Sequence, residues 1–490
     1  MIRAYLDWNV IVALKAETAD HKFANLILEN LQSILIPFSN GHIQDLQKGA
    51  KDPKYLPLIR KDLDYLDFIS NKNCLLFDIK KNITEAKIGS SHDLFDSFSE
   101  TNDEDFFNPE KIEETFQDLG FPSIGQKIIE NWRQTQVDID FSKFETNDHV
   151  KDYYSKHLPR TRKENNLYNL MLDFSEFYER LKKDPSLYKR LLEIFRNQVG
   201  LDPKIISNFK KPFDDLNKIL KDSKIGFDLD ALTNINTDEN NNLVRNNFSK
   251  YSMEYAGLDM SGFHPDTFNK KNLFSNFTID SYHSFFGGHC DYFVSFEKKL
   301  LLKSYALYRK YGIDTKAVSP KEFCESVSPT FENEFDIKYL INSISKTIES
   351  GFVKEIITHS YNDTNIYLYQ PQNPILAYFN YLQLKKDHKN RSTIFLVNST
   401  NTLSRFIFYS EIESIVAKCV KIFGNDLNNR SVFATEEREQ INNGSWPGRS
   451  WVYENFLVAL FFFEEANRID LIFEEITDDY IESKKNMHMR

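Results

Sequence analysis

The sequence predicts an α/β fold: a parallel sheet flanked by helices, a large and mainly helical insertion, and a C-terminal α/β or α+β domain. Three observations carry this. Ile2-Arg3-Ala4-Tyr5-Leu6 is a short apolar strand that stops on Asp7 and leads into a helix near Val10. Far along the chain Tyr292-Phe293-Val294-Ser295 repeats the arrangement, with a helix over 279–288 before it and Glu297 just after it. The segments between such strands place apolar residues three and four apart, the period of a helix with one buried face. Ligands of an open parallel sheet collect beyond the carboxyl ends of its strands. Two acids at strand ends, remote in sequence, can therefore share one site.

Val10, Ile11 and Leu14 line one face of the first helix, and a second helical pattern covers 23–34. Residues 34–39 read as one strand, after which Ser39 or Asn40 can cap a helix carrying His42, Ile43, Asp45 and Leu46. A helix over 56–69 and a strand over 74–77 complete this part. The composition then changes. Residues 75–150 hold 17 acids against 7 Lys and Arg, whereas 151–224 hold 17 Lys and Arg against 11 acids, on helical patterns. The Asn-rich stretch 233–247 reads as an exposed loop. The α/β pattern returns with the 279–288 helix, continues through a helix over 298–311 and ends in a strand over 314–318. The core is thus expected over 1–80 and 274–325, with 81–273 inserted. Residues 330–490 form a further domain, with helices expected near 334–350, 374–386, 405–423 and 450–467 and strands at 365–369 and 394–397. Within it, Gly444 to Trp451 reads as a tight turn packed by two tryptophans.

At 490 residues the chain exceeds one ordinary core. A net charge of -11 rules out a uniformly basic nucleic-acid binder but not a local basic surface. Cys74, Cys290, Cys324 and Cys419 form no CxxC pair, which points to reduced thiols and a cytoplasmic protein rather than a disulfide framework or zinc site. No apolar run approaches the roughly 20 residues needed to span a bilayer, so no membrane role is expected.

Asp7, Asp45, Asp280 and Glu297 all fall at strand ends or on adjoining helices. Each alone is explained by helix capping. Together they repel unless a cation sits among them, which suggests a hard metal site built from oxygen ligands. Asp280 and His283, like His42 and Asp45, stand three apart and share a helix face. His283 suits a ligand, a carboxylate partner or a phosphate contact; Ser295 and Asn9 suit partners for the neighbouring acids.

Leu6-Asp7-Trp8-Asn9-Val10, the helix with Asp45, Asp280-Ser281-Tyr282-His283, and the run from Asp291 through Ser295 and Glu297 to Leu300 resemble the PIN-domain nucleases, and the likeness extends over 315–323. The resemblance covers about a quarter of the chain. It implies a parallel sheet between helices and hydrolysis of RNA phosphodiesters with Mg²⁺ or Mn²⁺. Asp7, Asp45, Asp280 and Glu297 would be the catalytic, metal-binding quartet, supported by Asn9, Ser295, His283 and Asp291. Trp8, Asp45 and Phe296-Glu297 depart from the family's commoner residues. Lys182, Lys183, Lys189 and Arg190 in the basic insert, with Lys298, Lys299 and Lys303 beside Glu297, are the expected RNA contacts. Structured DNA is the alternative substrate, and a non-catalytic scaffold the alternative role. The insert and the C-terminal domain, as a protein-partner or self-association surface, suggest control. By analogy that fits a bacterial stress or antiphage nuclease.

Overall fold

A computed structural model describes residues 1–50, 52–78, 81–99, 109, 117, 122–137, 148–223, 229, 247–266, 274–350, 353–359, 364–386, 392–398, 406–463 and 468–476. Four parallel strands form the central sheet in the order β2-β1-β6-β7: Ile34–Leu35, Ile2–Leu6, Tyr292–Val294 and Lys316–Val318. The chain builds outward from β1 on one side through β2, then on the other through β6 and β7. The crevice beyond Leu6 and Val294 is therefore the switch point of the sheet, where such folds take their ligands.

Side chains of β1 alternate between two cores, as the two-residue period of a strand requires. Ile2, Ala4 and Leu6 pack with Val10, Phe23, Ile27 and Phe323 on one face, while Tyr5 joins Phe286, Phe293 and Leu307 on the other. β6 divides in the same way, Tyr292 and Val294 against Phe293. Helices thus cover both faces, among them His21–Glu29 and Pro320–Phe331 on the first and Phe274–Gly287 and Lys298–Tyr311 on the second. Helix Phe274–Gly287 comes so near β6 that a Cβ on Gly287 would stand 2.7 Å from the Phe293 ring.

Several expectations need correction. The strand expected over 34–39 is two: β2 and β3 (Phe38–Ser39) are separated at Ile36-Pro37 and enter different sheets. β3 pairs with β4 (Asn73–Asp78), which pairs with β5 (Ile83–Ile88), so this sheet continues past residue 80 into the expected insertion. Helices from Pro122–Gln134 to Asn247–Ser261 fill the described insertion, in agreement with its helical patterns. Its later part joins the core through Leu216, Tyr251, Tyr255 and Leu258. The Asn-rich stretch 233–246 lies outside the described residues.

The C-terminal unit is a seven-stranded antiparallel sheet in the order β12-β13-β14-β11-β10-β9-β8: Arg449–Tyr453, Phe456–Phe463, Arg468–Glu475, Ser392–Val397, Tyr381–Lys386, Thr364–Tyr369 and Val353–His359. Helices Ile337–Glu349 and Tyr409–Phe423 fall where expected, and their core residues Leu340, Ile412, Ile415 and Cys419 pack with those of the sheet. Helices expected over 374–386 and 450–467 are instead β10 and the β12–β13 hairpin. The latter contains Phe456 to Phe463, an apolar run whose period cannot separate a buried strand from a buried helix. The turn before β12 is tight: Gly448 has φ +76, a Cβ there would meet Leu460 O at 2.3 Å, and Trp446 and Trp451 donate to Glu437 and Gly424 O.

This unit meets β1 through a buried ion pair. The Arg3 guanidinium donates to both Glu411 oxygens at 2.6 and 2.7 Å and to Phe406 O at 3.2 Å, with the Phe406 and Phe408 rings beside it. All four cysteines are free. No helix among the described residues is long and apolar enough to cross a membrane.

Candidate metal centre at the sheet switch point

Asp7 caps helix Trp8–Lys15, its Oδ1 accepting from Trp8 N at 2.8 Å. The register Leu6↔Val294 sets it against Ser295, whose hydroxyl donates to Asp7 Oδ2 at 2.6 Å and accepts from Glu297 N at 3.0 Å. Both Asp7 oxygens are thereby fixed, at 4 % exposure. Asp45 and His42 come from helix Asn40–Ala50, where the Ser39 hydroxyl accepts from Gly41 N. Gly41 permits a close crossing: a Cβ there would sit 3.2 Å from the His283 ring.

His283 lies between the acids. Its Nε2 donates to Asp45 Oδ2 at 2.8 Å and stands 3.8 Å from Asp7 Oδ1, while its Nδ1 meets Tyr5 OH at 2.9 Å. One ligand atom each from Asp7, Asp45 and His283 lies within 4.8 Å of the others. Burial works against a charged His283 ring, but the Asp45 hydrogen bond and the Asp7 and Asp45 charges outweigh it and raise its pKa. Burial likewise opposes Asp45 ionisation, yet His283 and Lys48 hold its pKa down at about 2. Each partner thus favours the charged form of the other.

Asp280 and Glu297 form the other side of the crevice. Burial and then the Glu297 and Asp7 charges push Asp280 well above the carboxylate range; burial, Asp7 and Asp266 push Glu297 up as well. Asn9 Nδ2 donates to Glu297 Oε1 at 3.0 Å. Asn9 Oδ1 is buried with no partner among the described residues. Asp7, Asp280 and Glu297 are thus carboxylates whose ionised forms the fold disfavours, and the Asn9 side chain that holds Glu297 carries an unused oxygen acceptor. That donor set fits a hard divalent cation, which takes oxygen ligands and relieves the repulsion.

Sequence reasoning placed His283 as a support, and the structure sets it in the tight group with Asp7 and Asp45; Asp280 and Glu297 stand outside that group. Two expectations are corrected. Asp291 accepts Arg3 N–H at 2.8 Å at the amino end of β6, opposite the crevice. Lys303 is fully buried and paired with Asp259 at 3.2 Å and Asp266 at 2.6 Å, so it is no surface contact for RNA. Lys189, Arg190, Lys298 and Lys299 are exposed, and the side chains of Lys182 and Lys183 lie outside the described residues.

Reasoning from sequence gave no site role to Tyr5 or Asp266, took Ser39 only as a helix cap, and noted His42 only as sharing a helix face with Asp45. Tyr5 OH bridges Ser39 Oγ at 2.6 Å and His283. His42 accepts from Ser39 N through Nδ1 and so donates from Nε2 to Leu6 O at 2.8 Å; burial lowers its pKa to about 3 and keeps it neutral. The His42–Asp45 spacing was the one available signal for its place here. Comparison with known protein families, characterised proteins and solved structures finds no match.

Proposed function

We propose that the chain is a metal-dependent endoribonuclease with a PIN-like core, its centre formed by Asp7, Asp45, Asp280 and Glu297 with His283. The observation that carries this reading is the convergence of Asp7, Asp45 and His283 at the switch point of a parallel sheet. A bound Mg²⁺ or Mn²⁺ would activate water and neutralise charge growing on the phosphate. The protein's own part is positional. Ser295 and Trp8 N–H fix the Asp7 carboxylate, and His283, held by Tyr5, aims Asp45. Asn9 steers Glu297 at the rim. Exposed Lys189, Arg190, Lys298 and Lys299 supply positive charge that draws phosphates toward an otherwise repulsive pocket.

The test is incubation of wild type, Asp7→Asn and Asp280→Asn with labelled single-stranded RNA, structured RNA and matched DNA, in Mn²⁺, Mg²⁺ or EDTA. RNA cuts that require metal and fall by at least about 100-fold in both variants are expected, since even an outer-shell partner is worth about 10–100-fold. Cutting that survives EDTA, or an Asp7→Asn enzyme of wild-type rate, refutes the reading. Preferential cutting of DNA would move the substrate class.

A further inference from the structure

We propose that a groove along the outer face of helix Lys298–Tyr311 binds single-stranded RNA and leads it to the carboxylate centre, an inference that rests on the endoribonuclease reading for its choice of ligand. Two cavities of about 480 and 580 Å³ share Ser207 and His264 and so abut as one groove. The first opens between Lys189 and Lys299, and Lys299 is two residues beyond Glu297. The second is lined by Phe209, Lys210, Lys211, Phe263, Tyr305 and Arg309. At about 1.5 Å per residue, Glu297 to Arg309 spans about 18 Å, room for about five nucleotides stacked at about 3.4 Å.

The lining has the two elements that single strands need. Phosphates are met by exposed Lys189, Lys210, Lys211 and Arg309, a concentration of positive charge in a chain of net charge -11. Nearby acids hold two of these cations loosely: Lys189–Glu193 is 3.9 Å and Lys211–Asp214 4.0 Å, at the limit of an ion pair between exposed groups. Bases are met by rings. Tyr305 is 51 % exposed on the groove face, with the Arg309 guanidinium 5.8 Å from its centroid, and Phe209 is half-buried beside Lys210. An unpaired base can stack on such a ring, whereas a duplex keeps its bases inside. Phosphate-binding side chains interleaved with aromatic rings therefore favour a single strand.

The test is fluorescence anisotropy of a labelled single-stranded RNA of about 12 nucleotides, within the usual site range, titrated in EDTA so that binding is read without cleavage. Tyr305→Ala should weaken binding by about 5- to 150-fold, the loss of one stacked base, while Tyr305→Phe retains it. The Lys210→Gln/Lys211→Gln variant should reduce the slope of log K against log salt by about 1.4, two phosphate contacts on a single strand. All three positions are exposed, so equal melting temperatures show an intact fold. Wild-type affinity in Tyr305→Ala, an unchanged salt slope, or tighter binding of a duplex or of the matched DNA strand overturns the groove. Binding as expected by a protein that never cuts upholds the groove and removes the nuclease reading. Cutting by wild type with groove variants that bind normally removes the groove alone.

Discussion

Replacing His283 with Asn should make the stability of this centre depend on a divalent cation. In the wild type the His283 ring lies 2.8 Å from Asp45 and 3.8 Å from Asp7, and offsets a repulsion between acids whose nearest ligand atoms are within 4.8 Å. At that separation and an effective dielectric near 20, two carboxylates repel by about 3 kcal/mol. Asp7 and Asp45 side chains are only 6 % and 17 % exposed, so solvent screens little of it. Without the ring that energy is uncompensated. A loss of about 3 kcal/mol lowers the melting temperature by roughly 6–12 °C for a cooperative unit of 150–250 residues. The assay is a thermal melt in EDTA and in millimolar Mg²⁺: a large deficit in EDTA, mostly recovered by metal, is expected. A pH series adds a second arm. The His283 pKa is raised, so its contribution is complete below about 6.5 and disappears as pH climbs through the folded value. The Asp45 pKa is depressed, so its share is complete above about 3.9 and lost as pH falls through about 2. Metal-free wild type should lose stability above pH 6.5 more steeply than His283→Asn. A variant as stable as wild type in EDTA, or one that Mg²⁺ does not rescue, would refute the reasoning.

Two further outcomes are expected away from the centre. Glu411→Gln leaves the Arg3 guanidinium buried without its counter-charge and should cost about 3–5 kcal/mol in urea denaturation, while Arg3→Met/Glu411→Leu, which removes both charges, should lie near wild type; a mild single variant contradicts this. Lys418 is buried, its Nζ donating to Leu376 O, and desolvation lowers its pKa to about 7. Between about 7 and about 10.4 only the unfolded chain carries this proton, so stability should rise with pH across that window, and Lys418→Met should flatten the rise.

The centre was legible where local chemistry and chain pattern coincide. A strand that ends on an acid, as β1 does at Asp7, declares both its fold and its site, and the run from Asp280 to Glu297 does so again. Tyr5 was not legible as a functional residue because an apolar strand accommodates an aromatic ring anywhere; only the crossing of two helices shows that its hydroxyl meets His283. Lys303 misled for the opposite reason. Its charge suggested the surface, although its spacing from Leu300 and Leu307 puts it on the buried face, where Asp259 and Asp266 neutralise it. In the C-terminal unit, residues 375–379 look like helix by apolar content, yet Leu376 and Ala377 adopt positive φ in a turn before β10. No local propensity announces that.

The central place of β1 also sets a timetable. Its neighbour β6 leads into the Ser295 that fixes Asp7, 288 residues further along the chain, and the Glu411 that neutralises Arg3 lies 408 residues beyond Arg3. At about 5–20 residues per second, roughly 15–60 s separate the making of Asp7 from that of Ser295. Until then the acids have no common crevice, and a chain that stops short of β6 carries Asp7 without the strand and the hydroxyl that fix it.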